Sequence, residues 1–119
     1  MKQAICVRWV ALILGGLLLC SAPASAQELA GSYQVKGAGP EGTMYLDSAT
    51  ITQTGKTYHM VWGSGSGSYS GTGLLHEGVF AVAYNGGLAV YSVQSDGTLK
   101  GVWTLDGSEL VGTETLIPQ

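Results

Sequence analysis

The residues able to do chemistry are few. His59 and His76 are the only histidines, Glu77 follows His76, and Asp47 is the other carboxylate that a metal reading would enlist. Metal sites draw on short recurring spacings of His and Cys, because the ligands must converge on one point. Neither His-x-His nor His-x-x-x-His occurs, so the expectation is two surface histidines and no metal. His59 alternates with Tyr58 and Met60 and faces outward if they face in. The glycine-serine run WGSGSGSYSGTG, residues 62–73, is followed by no helical pattern. A nucleophile elbow and a dinucleotide-binding loop both need a helix there. The chain therefore reads as non-enzymatic, with no cofactor.

Glu114 is the acid whose place matters. Leu110, Gly112, Glu114 and Leu116 are spaced by two, so they share one face of a strand. If that face points inward, a carboxylate enters an apolar interior and requires donors, such as Tyr or Trp side chains. The first reading is a structural carboxylate tying strand ends together, and the second is an acid that orients a ligand. A register shift would instead place Val111, Thr113 and Ile117 inside. Trp62 and Trp103, with Tyr33, Tyr69 and Tyr91, form the aromatic set. Core packing is its first reading and a ligand cavity lined by these rings its second. The candidate ligand-binding residues are thus Tyr33, Trp62, Tyr69, Trp103 and Glu114.

These side chains need a scaffold, and the pattern after residue 27 supplies one of strands only. Short β-branched and apolar runs are cut by Gly, Asn and Asp, with no sustained helical period. The reading is eight strands over residues 28–36, 43–54, 57–62, 68–76, 79–84, 88–94, 98–105 and 109–117. Asn85-Gly86-Gly87, Asp96-Gly97 and Asp106-Gly107-Ser108 are hairpin signals, because tight turns of the right twist need positive φ. Strands so close together with short turns predict an antiparallel up-and-down meander. Four strands carry glycine at period two, in Leu29/Gly31/Tyr33, Tyr69/Gly71/Gly73, Leu99/Gly101/Trp103 and Leu110/Gly112/Glu114. Glycine inside a strand marks close approach or a bend. The fold expected is all-β, an eight-stranded closed barrel.

The glycine-serine run is then not a linker. Trp62 ends the third strand and Tyr69 to Gly73 belongs to the fourth, which leaves a hairpin tip in which Gly65 and Ser66 are expected to tolerate replacement. The expected core is Leu29, Tyr33, Val35, Ile51, Met60, Trp62, Phe80, Val82, Leu99, Trp103, Leu105, Leu110 and Leu116, joined by Tyr69, Tyr91 and Val93. The runs VFAVAY and LAVYSV are apolar on both faces. Their outer face calls for a cover, either a partner chain (a homo-oligomer included) or the chain's own N-terminus.

The start of the chain reads as an export signal over residues 1–26. Lys2 and Arg8 precede an apolar run from Trp9 to Leu19, and Ala24-Ser25-Ala26 fits a signal peptidase cut after Ala26. The run is short for a bilayer, which takes about 20 residues, so no membrane span is expected in the mature form. Acylation at Cys20 is disfavoured by the bulky Leu19 before it. Cys6 and Cys20 both fall in the removed part, leaving one β-barrel domain over 27–119 with no disulfide and no thiolate. That region carries Lys36, Lys56 and Lys100 against all eight acidic residues, and no Arg. Nucleic acid and anionic lipid are therefore excluded as partners.

The segments LAGSY, FAVAYNGGLAVY, DGTLKGVW and VGTETL resemble a pattern in small exported proteins of alphaproteobacteria and related bacteria. The likeness covers nearly all of residues 28–117. Some of those proteins bear the label fibronectin-binding, which implies an extracellular-matrix or envelope protein partner; the resemblance supplies no catalytic residues. The architecture also resembles the avidin and lipocalin group of calycin barrels. Those open with Gly-x-Trp, where this chain has Gly31-Ser32-Tyr33; Gly-x-Trp comes later as Gly101-Val102-Trp103. Ligand binding in that group goes with longer loops and a roomier cup, and this chain is short.

The expected function is a periplasmic or secreted, non-catalytic binding module of the cell envelope that meets a protein partner. The alternatives are a carrier for a small apolar ligand inside the barrel and a protease or lysozyme inhibitor. An interior void above about 300 Å3 would favour the carrier.

Overall fold

In the computed structural model, residues 28–63 and 65–119 are described. The export-signal reading falls on residues outside them. Eight strands form one closed antiparallel barrel in sequence order, β1 (Gly31–Ala38), β2 (Met44–Thr54), β3 (Thr57–Trp62), β4 (Tyr69–His76), β5 (Val79–Tyr84), β6 (Gly87–Val93), β7 (Leu99–Leu105) and β8 (Gly112–Pro118). Closure comes from β8 pairing with β1, Tyr33 opposite Pro118 and Gly37 opposite Glu114. No strand edge is left among these eight, which removes a template for edge-to-edge aggregation.

The turns follow their residue types. Glu77 and Gly78 both have positive φ, 50° and 81°, the geometry of a tight hairpin turn with the twist of its strands. Gly86, Gly97 and Gly107 are also at positive φ. Residues 63–68 join β3 to β4 through a single 3-10 turn at Gly65–Gly67, and Trp62 pairs directly with Tyr69 across them. The glycine-serine run is thus a hairpin connection within the barrel. One expectation is corrected here. Gly65 has φ 65°, a region that side chains of L-residues avoid, so it does not tolerate replacement freely.

The barrel has two unlike ends. Leu29, Ile51, Tyr58, Met60, Phe80, Val82, Leu99 and Leu116 are buried. They cluster toward the end that carries the 55–56, 77–78 and 94–98 turns. Leu29 lies before β1 and is 1% exposed. Its carbonyl accepts a 2.7 Å hydrogen bond from the Tyr33 hydroxyl, and together they plug this end. The other end carries the 39–43, 63–68, 85–86 and 106–111 connections and is open.

Three predicted core positions are corrected. Leu105 and Leu110 are 50% and 61% exposed, and Tyr69 is 53% exposed. β8 begins at Gly112 rather than 109, so Leu110 precedes the strand and the alternation no longer turns it inward. Leu105 and Tyr69 do face inward by parity, but they sit at strand ends, at the open rim. Trp103 and Val93 are partly buried against the core.

The outer face of β5 and β6 is largely apolar as the sequence suggested. Leu74, Ala81, Val90 and Val102 stand opposite one another in register across four strands. Leu74, Val79, Leu88, Val90 and Val102 are exposed.

Candidate functional site: an aromatic cup around a buried carboxylate

The open end leads into a cavity of about 620 Å3. Its wall is built from Tyr45, Asp47, Trp62, Tyr69, Tyr84, Tyr91, Trp103 and Glu114, with Ser70, Asn85, Ala89 and Leu105 completing it. The volume lies within the usual range for sites that enclose small organic molecules.

Glu114 is the centre of the wall. It points inward from β8 and is 6% exposed, the sole buried charged side chain among the described residues. Three donors from three other strands converge on it. The Tyr45 hydroxyl donates to Oε1 at 2.7 Å. The Trp62 indole N–H donates to Oε2 at 2.9 Å, and the Tyr91 hydroxyl donates to the same oxygen at 2.6 Å. A buried carboxylate without partners would be strongly disfavoured. Charge-assisted bonds of this length are stronger than neutral ones. The carboxylate therefore ties β2, β3 and β6 to β8, from within β8 rather than at its end. The same carboxylate forms part of the cavity wall.

The local sequence explains how two tyrosines reach one acid. In register, Glu114 stands between Gly37 of β1 and Gly101 of β7. Beyond Gly37 stands Tyr45, and beyond Gly101 stands Tyr91. The five residues form one row, Tyr45–Gly37–Glu114–Gly101–Tyr91. Each tyrosine ring lies across the neighbouring glycine, where a Cβ would collide with it. Glycine is needed here because any side chain would occupy the space of the ring. Trp103 lies in the same way over its register partner Gly112. Its indole N–H donates to the Thr113 carbonyl at 3.3 Å.

The remaining rings line the mouth. Trp62 and Tyr69 stack with centroids 5.3 Å apart and an interplanar angle of 17°. Tyr84 meets Trp62 edge-on at 5.3 Å, and Tyr45 meets Trp103 edge-on at 6.5 Å. Burial raises the pKa of Tyr45, Tyr69, Tyr84 and Tyr91 above the ordinary 10.0, and the negative Glu114 adds to each shift. The phenols thus stay protonated and act as donors.

Of the residues singled out in the sequence, Trp62, Tyr69, Tyr91, Trp103 and Glu114 come together in this cavity. Tyr33 does not: it is 4% exposed in the core and spends its hydroxyl on Leu29 at the plugged end. Tyr45, Asp47 and Tyr84 were not among those candidates. The signal for Tyr45 and Asp47 was present, since they share parity with buried Ile51 on β2. His59 is exposed on β3, while Tyr58 and Met60 beside it are buried. His76 Nε2 lies 3.6 Å from Glu77 at the surface, a contact too solvated to matter. Among the described residues no group of three His, Cys, Asp or Glu could hold a metal ion. No helix of the described residues is long and apolar enough to cross a membrane.

In comparisons with known proteins, no family model matches the chain and no curated protein matches it.

Proposed function

We propose that this chain is an exported, non-catalytic binding barrel that takes a small organic molecule through its open end. The observation that carries the reading is the cavity of about 620 Å3, twice the void that a carrier calls for, closed at its far end and walled by aromatic rings around one buried carboxylate. Two features support the absence of catalysis. Neither histidine lines the cavity, so Ser70 has no imidazole base beside it there. The tyrosine phenols are pushed away from neutral pH rather than toward it. The experiment is native mass spectrometry of the purified protein under gentle conditions. A co-purifying small molecule, lost on mutation of Trp103, supports the reading. A bare chain that also fails to take up any member of an aromatic fragment set overturns it.

A second reading has its own observation. The row Leu74, Ala81, Val90 and Val102 lays an apolar stripe across the outer face of β4–β7, which supports a protein partner or a second copy of the chain. The two readings are compatible, since the cavity and this face lie on opposite sides of the sheet.

A further inference from the structure

We infer that the occupant of the cup is an organic cation, an ammonium or amidinium group carried on an apolar or aromatic body. The inference rests on the ligand-binding reading above and names its chemical class.

The charge of the wall is one-sided. Its charged side chains are Glu114 and Asp47, both acidic, and among the described residues no Lys, Arg or His lines it. The three lysines of the barrel lie elsewhere: Lys36 and Lys100 are exposed on outward positions of β1 and β7, and Lys56 is in the turn between β2 and β3 at the plugged end. Glu114 is held by neutral donors only, so its charge is solvated but not cancelled. An anion entering the cup would meet two carboxylates and no cationic side chain, which is repulsive. A cation would be drawn in by the same field.

The hydrogen-bond inventory leaves room for one. A carboxylate offers about four acceptor sites. Glu114 Oε2 takes two donors among the described residues, while Oε1 takes only the Tyr45 hydroxyl. Oε1 thus retains acceptor capacity for an N–H on a ligand. Asp47 stands two residues from Tyr45 on the same face of β2 and is half-buried, within the same wall.

The rings complete the recognition. Trp62, Tyr69, Tyr84, Tyr45 and Trp103 surround the cavity as two edge-on or stacked groups. The face of an aromatic ring is negative, and a cation within about 6 Å of its centroid gains roughly 0.5–2 kcal/mol, with Trp the best partner. Cages of several rings beside an acid therefore select cations over neutral molecules of the same shape. The field of Glu114 reaches the whole cup, since it contributes to the raised pKa of four of its tyrosines.

The test uses three probes of nearly equal size: phenyltrimethylammonium, its neutral carbon isostere tert-butylbenzene, and benzenesulfonate. Binding to the purified protein is followed by indole fluorescence and by the indole N–H resonances of Trp62 and Trp103. The expected result is a preference of about tenfold for the cation over the neutral isostere, and no binding of the sulfonate. Asp47→Asn should weaken the cation about threefold or more and leave the neutral isostere unchanged; it does not touch the Glu114 hydrogen bonds, so the barrel stays folded. Equal binding of cation and isostere, or indifference of the cation to Asp47→Asn, overturns the inference while the cup stands as a ligand site. Binding of the sulfonate overturns it as well. Silence from all three probes overturns both the inference and the ligand-binding reading.

Discussion

Tyr91 lies flat across Gly101, its register partner on β7, and its hydroxyl reaches Glu114 on the strand beyond at 2.6 Å. The glycine is what allows the reach. A Cβ on Gly101 would collide with the Tyr91 ring and with the Val90 carbonyl, and the backbone cannot give way. Gly101→Ala is expected to destabilise the barrel by about 1–3 kcal/mol through overpacking. Chemical denaturation measures the loss. The indole N–H resonance of Trp62 should shift with it, because the carboxylate it binds moves. A loss under half a kcal/mol, about a factor of two in the folding equilibrium, would mean that the ring is not held there.

Glu114→Gln should cost about 2 kcal/mol or more, since the amide keeps one acceptor oxygen but turns an NH2 toward a donor. Glu114→Ala should cost more, because Trp62 Nε1–H and the Tyr91 hydroxyl lose their partner inside the barrel. Thermal unfolding by circular dichroism ranks the two. If Gln equals the parent, the carboxylate's charge contributes nothing to holding β2, β3 and β6.

The 63–68 connection separates backbone demands from space. Gly65→Ala should destabilise by about 1 kcal/mol, because Gly65 sits at φ 65° in open space. Ser66→Ala, in the same exposed turn, should be neutral within about 0.5 kcal/mol. Gly71→Val should cost about 1–3 kcal/mol, since a Cβ would lie 2.6 Å from the Ala83 carbonyl oxygen and 2.8 Å from Val82. Urea midpoints of the three variants test the order, and a costlier Ser66 than Gly71 would reverse the assignment of β4.

The tyrosines make the barrel sensitive to alkali. Burial, first, and Glu114 raise the pKa of Tyr45 and Tyr91 above the ordinary 10.0. A group whose folded pKa is raised contributes stability that is complete below the unfolded pKa and lost as pH climbs past it. The urea midpoint should therefore hold steady to about pH 9 and fall between about pH 10 and 12. Tyr91→Phe should flatten that fall. A midpoint unchanged at about pH 11 would place these phenols in water.

Much of the fold was legible because alternation and turn residues are local signals. Tyr58, Met60 and outward His59 on β3 follow from period two alone. Gly86, Gly97 and Gly107 mark their turns through positive φ. The errors fall where alternation stops. Alternation extended back from β8 points Leu110 inward, but the strand begins only at Gly112. Leu105 and Tyr69 have the right parity but stand at the rim, and depth along a barrel is not encoded in parity. Tyr33 is aromatic and inward like the ligand rings, yet it lies at the plugged end beside Leu29. The Tyr45–Gly37–Glu114–Gly101–Tyr91 row was hidden for a different reason. It needs the register of four strand pairs at once, and no single strand contains more than one of its members.

Leu29 enters the barrel at its plugged end, and β8 finishes there too, with Pro118 opposite Tyr33 and within reach of the 94–98 turn. The barrel is thus entered before β1 and left after β8 on the side away from the cup. A surface coupling or a fused partner attached on that side would hold the barrel by its base with the mouth turned outward. The molecule is arranged like a vessel on a stem, ready to be immobilised without blocking its opening.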